Sequence, residues 1–206
     1  MTWSELTVQQ AVLRAIAGLI IVTLHGLTIA ATAVLLGDKG PRYDGRLTPL
    51  SPAHIDLIGL GSMVLTGFGW SRPLAIEAGK LRIRRWGLVV APLAGSAALL
   101  LLGYLVLLLV IPLLTMLPYT AGVTSAAFVR LTARLCVWTA LFSLIPIPPL
   151  AGAHFLNAAG ISVPRGTGAV LGWALLAASF FGITRMMLTP AYDVIAPVVL
   201  GPDLAR

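Results

Sequence analysis

Three histidines are the side chains of this 206-residue chain best suited to chemistry: His25, His54 and His154, with Asp56 close behind the second. Imidazoles ligate zinc, copper, iron or nickel, and a catalytic zinc site wants three protein ligands plus an open position for water. The single cysteine, Cys136, lies in an apolar run; it excludes a disulfide framework and a thiol metal site and reads as a small buried hydrophobe. Arg130 and Arg134 are one helical turn apart and share a face. They read either as interfacial arginines snorkelling to water or as a contact with a partner subunit or an anionic lipid. Lys80, Arg82, Arg84 and Arg85 form a second basic group, read as a cytoplasmic anchor, with partner recognition as the alternative.

The elements that position these residues are apolar and long. The chain is 58% hydrophobic and only 10% charged, where a soluble domain carries roughly 25% charge. Trp86 to Pro118 holds no charge at all and exceeds the ~20 residues that span a bilayer. The composition therefore gives an all-α polytopic membrane protein, a single integral-membrane domain with four to six membrane segments. Five of the fourteen basic residues sit between Arg72 and Arg85, so the net charge of +7 points to lipid headgroups and not to nucleic acid.

Along the chain, 8–36 reads as the first helix, 37–54 as a polar connector, and 55–70 as a short or re-entrant span. A basic loop (71–86), a helix (87–117), a Pro-broken helix (135–160) and a last helix (168–187) follow. The N-terminus, MTWSELTVQQ, lacks a basic n-region, and the first apolar run exceeds a signal peptide, so it is read as a retained first helix. Trp70 and Trp86 bracket the basic loop and are expected at the membrane interface. The stretch LIPIPPLAGAHF (144–155) breaks its helix with three prolines, and backbone groups freed in this way must find new partners.

Three motifs in order carry a resemblance. GRLTPLSPAHID (45–56) is similar to GRLTLNPxxHID, GFGWSRPLAIEAGKLRIRRWG (67–87) to GWAKPVPVNPxxLRxxRRG, and LFSLIPIPPLAG (141–152) to LFNLLPIPPLDG. Each right-hand pattern belongs to the compact bacterial branch of the site-2-protease-like intramembrane zinc metalloproteases. With the helix around His25, these motifs cover most of residues 20 to 156. The resemblance implies a helical core in which the first helix and the Pro-broken helix face each other across a buried metal.

The same resemblance marks four departures. The family's H-E-x-x-H supplies two histidine ligands on one helix face and a glutamate base. Here that register holds His25, Gly26 and Ile29. The aspartate of LDG is Ala151, and the asparagine of FNLLP is Ser143. The expectation is a catalytically inactive member with no cofactor, kept as a scaffold or accessory subunit of a larger membrane complex, for instance respiratory or photosynthetic. Its partners would be membrane lipids and other transmembrane subunits. It would sit in a bacterial inner membrane with residues 71–86 cytoplasmic. The alternatives are a pseudoprotease that binds a transmembrane client helix, or an altered metalloenzyme using His25 and His154. If His25 is structural instead, Thr23, Thr28 or Ser143 is expected to hydrogen-bond it.

Overall fold

The computed structural model describes residues 7–49, 52–161, 164 and 166–205, with the side chains of 203 and 205 excepted. The first six residues, on which the reading of the N-terminus rests, and Leu50 and Ser51 of the connector motif lie outside the described residues.

Helix α1 (Val8–Leu35) starts where the Thr7 hydroxyl accepts a hydrogen bond from the Gln10 amide, an N-cap that satisfies one of the helix's orphan donors. Its buried positions, Ala17, Gly18, Ile21, Val22, His25, Gly26, Ile29, Ala30 and Ala33, recur at three- and four-residue spacing and form one face of mostly small side chains. Small residues let membrane helices approach closely. Helix α4 (Gly87–Leu107) and helix α6 (Tyr119–Ser143) use that closeness to pack on α1 and on each other.

Between α1 and α4 the chain makes a hairpin. Past a short helix, α2 (Gly40–Tyr43), and a helical turn at Pro52–His54, helix α3 (Leu57–Thr66) is capped by the Asp56 carboxylate, which accepts from the Gly59 amide at 2.8 Å. It ends at Gly67, whose φ of 84° lies in the left-handed region that glycine enters without strain. Residues 68–72 then run back beside α3, so that Ile55 and Ser71 form an antiparallel bridge and the Arg72 amide donates to the His54 carbonyl at 2.9 Å. The two limbs of 55–70 thus start and end side by side. The tie continues below: the Arg82 amide donates to the Leu36 carbonyl, and buried Asp38 accepts from the amides of Gly40 and Glu77. Connector and basic loop thus share one end of the molecule.

Several boundaries differ from those read in the sequence. The helix expected over 87–117 is broken at Leu108–Leu109 into α4 and α5 (Val110–Met116). Pro112 explains the break, because it cannot donate to the Leu108 carbonyl and its ring crowds that turn. Helix α6 begins at Tyr119, not at residue 135, and stops at Ser143; the proline turn then leads into α7 (Ala153–Ala158). The last helix expected over 168–187 is two helices, α8 (Thr167–Phe180) and α9 (Ile183–Leu200), parted by Gly182 at φ 79°. A short α10 (Pro202–Ala205) folds back on α9. Trp70 is 1% exposed and belongs to the core, not to the interface. It packs there with Phe68, Phe142 and Trp138, the last stacked on Tyr192 at 4.0 Å.

Among the described residues four helices are long and apolar enough to cross a membrane: Val8–Leu35, Arg84–Met116, Tyr119–Ser143 and Ile183–Leu200. The chain is an all-α polytopic membrane protein, and the outward leucines of α4, such as Leu101 and Leu105, suit lipid as their solvent. Read as re-entrant, the hairpin makes a definite topological prediction. Cys136 is buried, so single cysteines can be read against a low background. Thr48→Cys and Ala75→Cys should be labelled by an impermeant maleimide from the same side of the membrane, and Tyr119→Cys from the other; opposite labelling of the first pair would mean that 55–70 crosses.

Candidate functional site

The middle of α1 meets the hairpin, α4 and the proline turn at one level. Ser71, placed by its bridge to Ile55, sits with its hydroxyl 3.1 Å from His25 Nδ1. His25 is 1% exposed, and its Nε2 is buried with no hydrogen-bond partner. That edge of the ring faces Gly95 of α4: a Cβ there would lie 3.1 Å from Nε2 and 2.7 Å from Ile29 Cγ1. Two of the expected partners of His25, Thr28 and Ser143, are engaged elsewhere. The Thr28 hydroxyl donates to the Leu24 carbonyl. Ser143 lies 2.9 Å from the Ser96 hydroxyl, and both serines are within reach of the Ala140 carbonyl. Ser71 stands where the resembling motif reads GWAKP, with alanine. That departure was the available sequence signal, but only the backbone pairing connects it with His25.

Gly26 faces the His54 ring. A Cβ on residue 26 would be 2.6 Å from His54 Nδ1, so the imidazole occupies the space into which a larger side chain at 26 would grow. His54 is fully buried, and neither ring nitrogen has a hydrogen bond of good geometry. Burial holds its pKa below the ordinary histidine value and nearby Arg46 adds to this, against the opposing pull of the Thr48 and Arg46 backbone. The ring is neutral at neutral pH. Arg46 itself is buried and donates to the carbonyls of Arg72 (3.2 Å) and Pro73 (2.8 Å). Its part is to hold the returning limb of the hairpin; Asp56 serves α3 as its cap.

A cavity of about 200 Å³ lies beside this layer, lined in part by Gly26, Ile29, Ala151 and His154. Three of the four positions at which the resemblance expects zinc chemistry and finds another residue therefore share one cavity wall, and the fourth, Ser143, is turned into the serine pair. Gly152 makes the turn that brings Ala151 there: its amide donates to the Ser143 carbonyl at 2.7 Å, and a Cβ would strike the carbonyls of Leu144 and Ile145. His154 presents a buried, unpartnered Nδ1, whereas His25 is not part of the cavity lining. Among the described residues no three His, Cys, Asp or Glu side chains come together as a metal-binding group. With His25 tied to Ser71 and backed by Gly95, and with glycine, isoleucine and alanine at the other positions, these residues do not fit a catalytic zinc ion.

The fold and site together define a polytopic helical membrane protein whose central layer is polar and whose cavity is lined by small and apolar side chains together with Ser71, Arg72, His154, Asn157 and Thr167. Over 141 residues, 66% of this chain, it is 29% identical to a protein of Bacillus subtilis (strain 168) named "Putative zinc metalloprotease YwhC". The match covers 63% of that relative's length, less than two thirds of it. This likeness supports a site-2-protease-like relationship. No family model matches the chain, and no solved structure gives a significant match.

The contact between residues 26 and 54 can be measured. Gly26→Ala should destabilise the protein by about 1–3 kcal/mol, the usual cost of overpacking a filled interior. In a His54→Ala background the same change should cost much less. Reversible unfolding in detergent reads the coupling; equal costs in the two backgrounds would show that the ring does not hold that space.

Proposed function

We propose that this chain is a catalytically inactive relative of the intramembrane zinc metalloproteases that serves as a scaffold or accessory subunit of a larger membrane assembly. One observation carries the reading. At the register where a base and a second ligand would face a metal, Gly26 packs on the His54 ring and Ile29 packs towards Gly95. A catalytic zinc lowers the pKa of its bound water and needs an open coordination position; a single imidazole already paired with Ser71 offers neither. What the chain keeps is packing: the Arg46 clamp, the Asp56 cap and the proline turn. Lys80, Arg82, Arg84 and Arg85 are exposed, and such a cluster favours the cytoplasmic side of a bacterial inner membrane. The likeness to the Bacillus relative supports the family relationship on which this reading rests.

A second reading draws on the cavity itself. Its walls still include Pro149, Ala151 and Gly26, so it would suit a pseudoprotease that retains a transmembrane client segment without cutting it. An altered metal centre on His25 and His154 would require His25 to leave Ser71 and turn away from Gly95.

The readings separate in one set of measurements on protein purified in mild detergent. We expect less than a tenth of a zinc ion per chain, no cleavage of a model transmembrane substrate, and co-purifying membrane subunits in fixed ratio. Zinc at one per chain, with cleavage lost on chelation, would overturn the inactive reading. Ala151→Trp, which fills the cavity, should leave a scaffold's assembly intact and should abolish retention of a client.

A further inference from the structure

Two groups of basic side chains lie apart from the histidines. Arg14, Arg130, Arg134 and Arg185 line one cavity, and three of them are engaged in packing. Arg14 donates to the carbonyls of Val64 and Leu65, Arg134 donates to that of Leu204, and Arg185 lies over the Trp138 ring. The group from Lys80 to Arg85 differs. Lys80 pairs with Glu77 at 2.7 Å. The side chains of Arg82, Arg84 and Arg85 are exposed and make no ion pair or hydrogen bond among the described residues. Arg84 has a φ of 48°, the sole positive value among the described residues other than glycine. That conformation is costly for a residue with a Cβ, and such outliers gather at ligand clamps.

Beside these arginines α4 and α7 leave a groove of about 330 Å³, lined by Arg85, Trp86, Val89, Phe155, Ala158 and Ala159. No carboxylate is among its described lining residues. The apolar span opens at Arg84, so the arginines and Trp86, which is 68% exposed, stand where headgroups meet hydrocarbon. Val90, Leu93 and Ala97 follow Trp86 at three- and four-residue spacing and are exposed, which makes one continuous apolar face. From Trp86 to Ala97 that face runs about 16 Å at 1.5 Å per residue, the depth of one leaflet of the ~30 Å core.

We propose that this groove seats one anionic phospholipid, with its headgroup at Arg85 and its acyl chain along Trp86, Val89 and Phe155. Charge and shape both select that occupant. Guanidinium forks match phosphate oxygens, and the neighbouring Arg82 and Arg84 add charge that no described carboxylate offsets. The indole of Trp86 gives an N–H donor and an apolar ring at the same level. Ala158 and Ala159 leave room for the glycerol and first acyl carbons. A soluble phosphate would leave those apolar walls unused.

The test uses the full-length protein, delipidated in detergent and titrated calorimetrically with three probes. These are dioctanoyl phosphatidylglycerol, dioctanoyl phosphatidylcholine and glycerophosphoglycerol, the first headgroup without acyl chains. Phosphatidylglycerol should bind about tenfold more tightly than phosphatidylcholine, and glycerophosphoglycerol far more weakly than either. Arg85→Gln should weaken phosphatidylglycerol about fivefold, the worth of one basic residue at an anionic surface, and Arg85→Lys should recover part of the loss. Ala159→Trp, which blocks the groove from an exposed position, should weaken both lipids. Arg42→Gln removes an exposed charge from α2 at the same end of the molecule and should change neither. The proposal is overturned if the two lipids bind alike, or if Arg42→Gln costs as much as Arg85→Gln, because the attraction then belongs to the whole basic surface. It is overturned equally if glycerophosphoglycerol binds as tightly as the intact lipid, which would leave the groove without a part. None of these outcomes depends on whether the chain is inactive as a protease.

Discussion

The centre of this molecule depends on the short backbone pairing between residues 54–55 and 71–72. That pairing lays His54 over Gly26 and brings Ser71 to His25. It is itself held by Arg46, whose guanidinium reaches two carbonyls of the returning limb. Hydrogen bonds from a charged group are worth about 1.5–3 kcal/mol each, more than a two-residue bridge supplies alone. A hairpin packed among membrane helices has to satisfy its backbone within the protein, and this pairing contributes to that while closing one side of the polar layer.

From that constraint the rest of the site follows. His25 is locked by a hydroxyl from the hairpin on one edge and by the close approach of α4 on the other. Ser96 and Ser143 satisfy each other at the junction of α4 and α6, so the end of α6 is fixed just before the proline turn. The cavity left beside Ala151 and His154 is the space that remains once those groups are paired. Its lining mixes apolar side chains with Ser71, Arg72, Asn157 and Thr167.

Much of this was legible in the residues. Uncharged runs longer than a bilayer marked two of the four long helices, α1 and α4, and the motifs around His25 and through 141–152 marked two elements that line the site. The hairpin was not legible, because the sixteen residues from Ile55 to Trp70 suit a short span or a turn equally and only pairing over a distance decides the backbone path. The partner of His25 was missed for the same reason: Ser71 is 46 residues away. The break at Gly182 hid inside unbroken apolar composition, where a lone glycine is ordinarily tolerated. Arg130 and Arg134 could be paired by periodicity, but Arg14 and Arg185 join them only through tertiary packing. Trp70 looked interfacial because tryptophan is amphipathic, and burial against Phe142 won.

The bend at Leu108–Leu109 bears on how thick a bilayer the molecule fits. Straight, the 33 residues from Arg84 to Met116 would measure about 50 Å at 1.5 Å per residue, some 20 Å beyond the hydrocarbon core. Ile111, Met116 and Tyr119 at the far tip are 73%, 82% and 86% exposed, so an upright rod would hold apolar side chains in water. Excess length of this kind is absorbed by tilting, kinking or local thickening of the bilayer. A proline-set bend is one such means, and it lets the exposed apolar tip lie closer to the acyl region than a straight rod would.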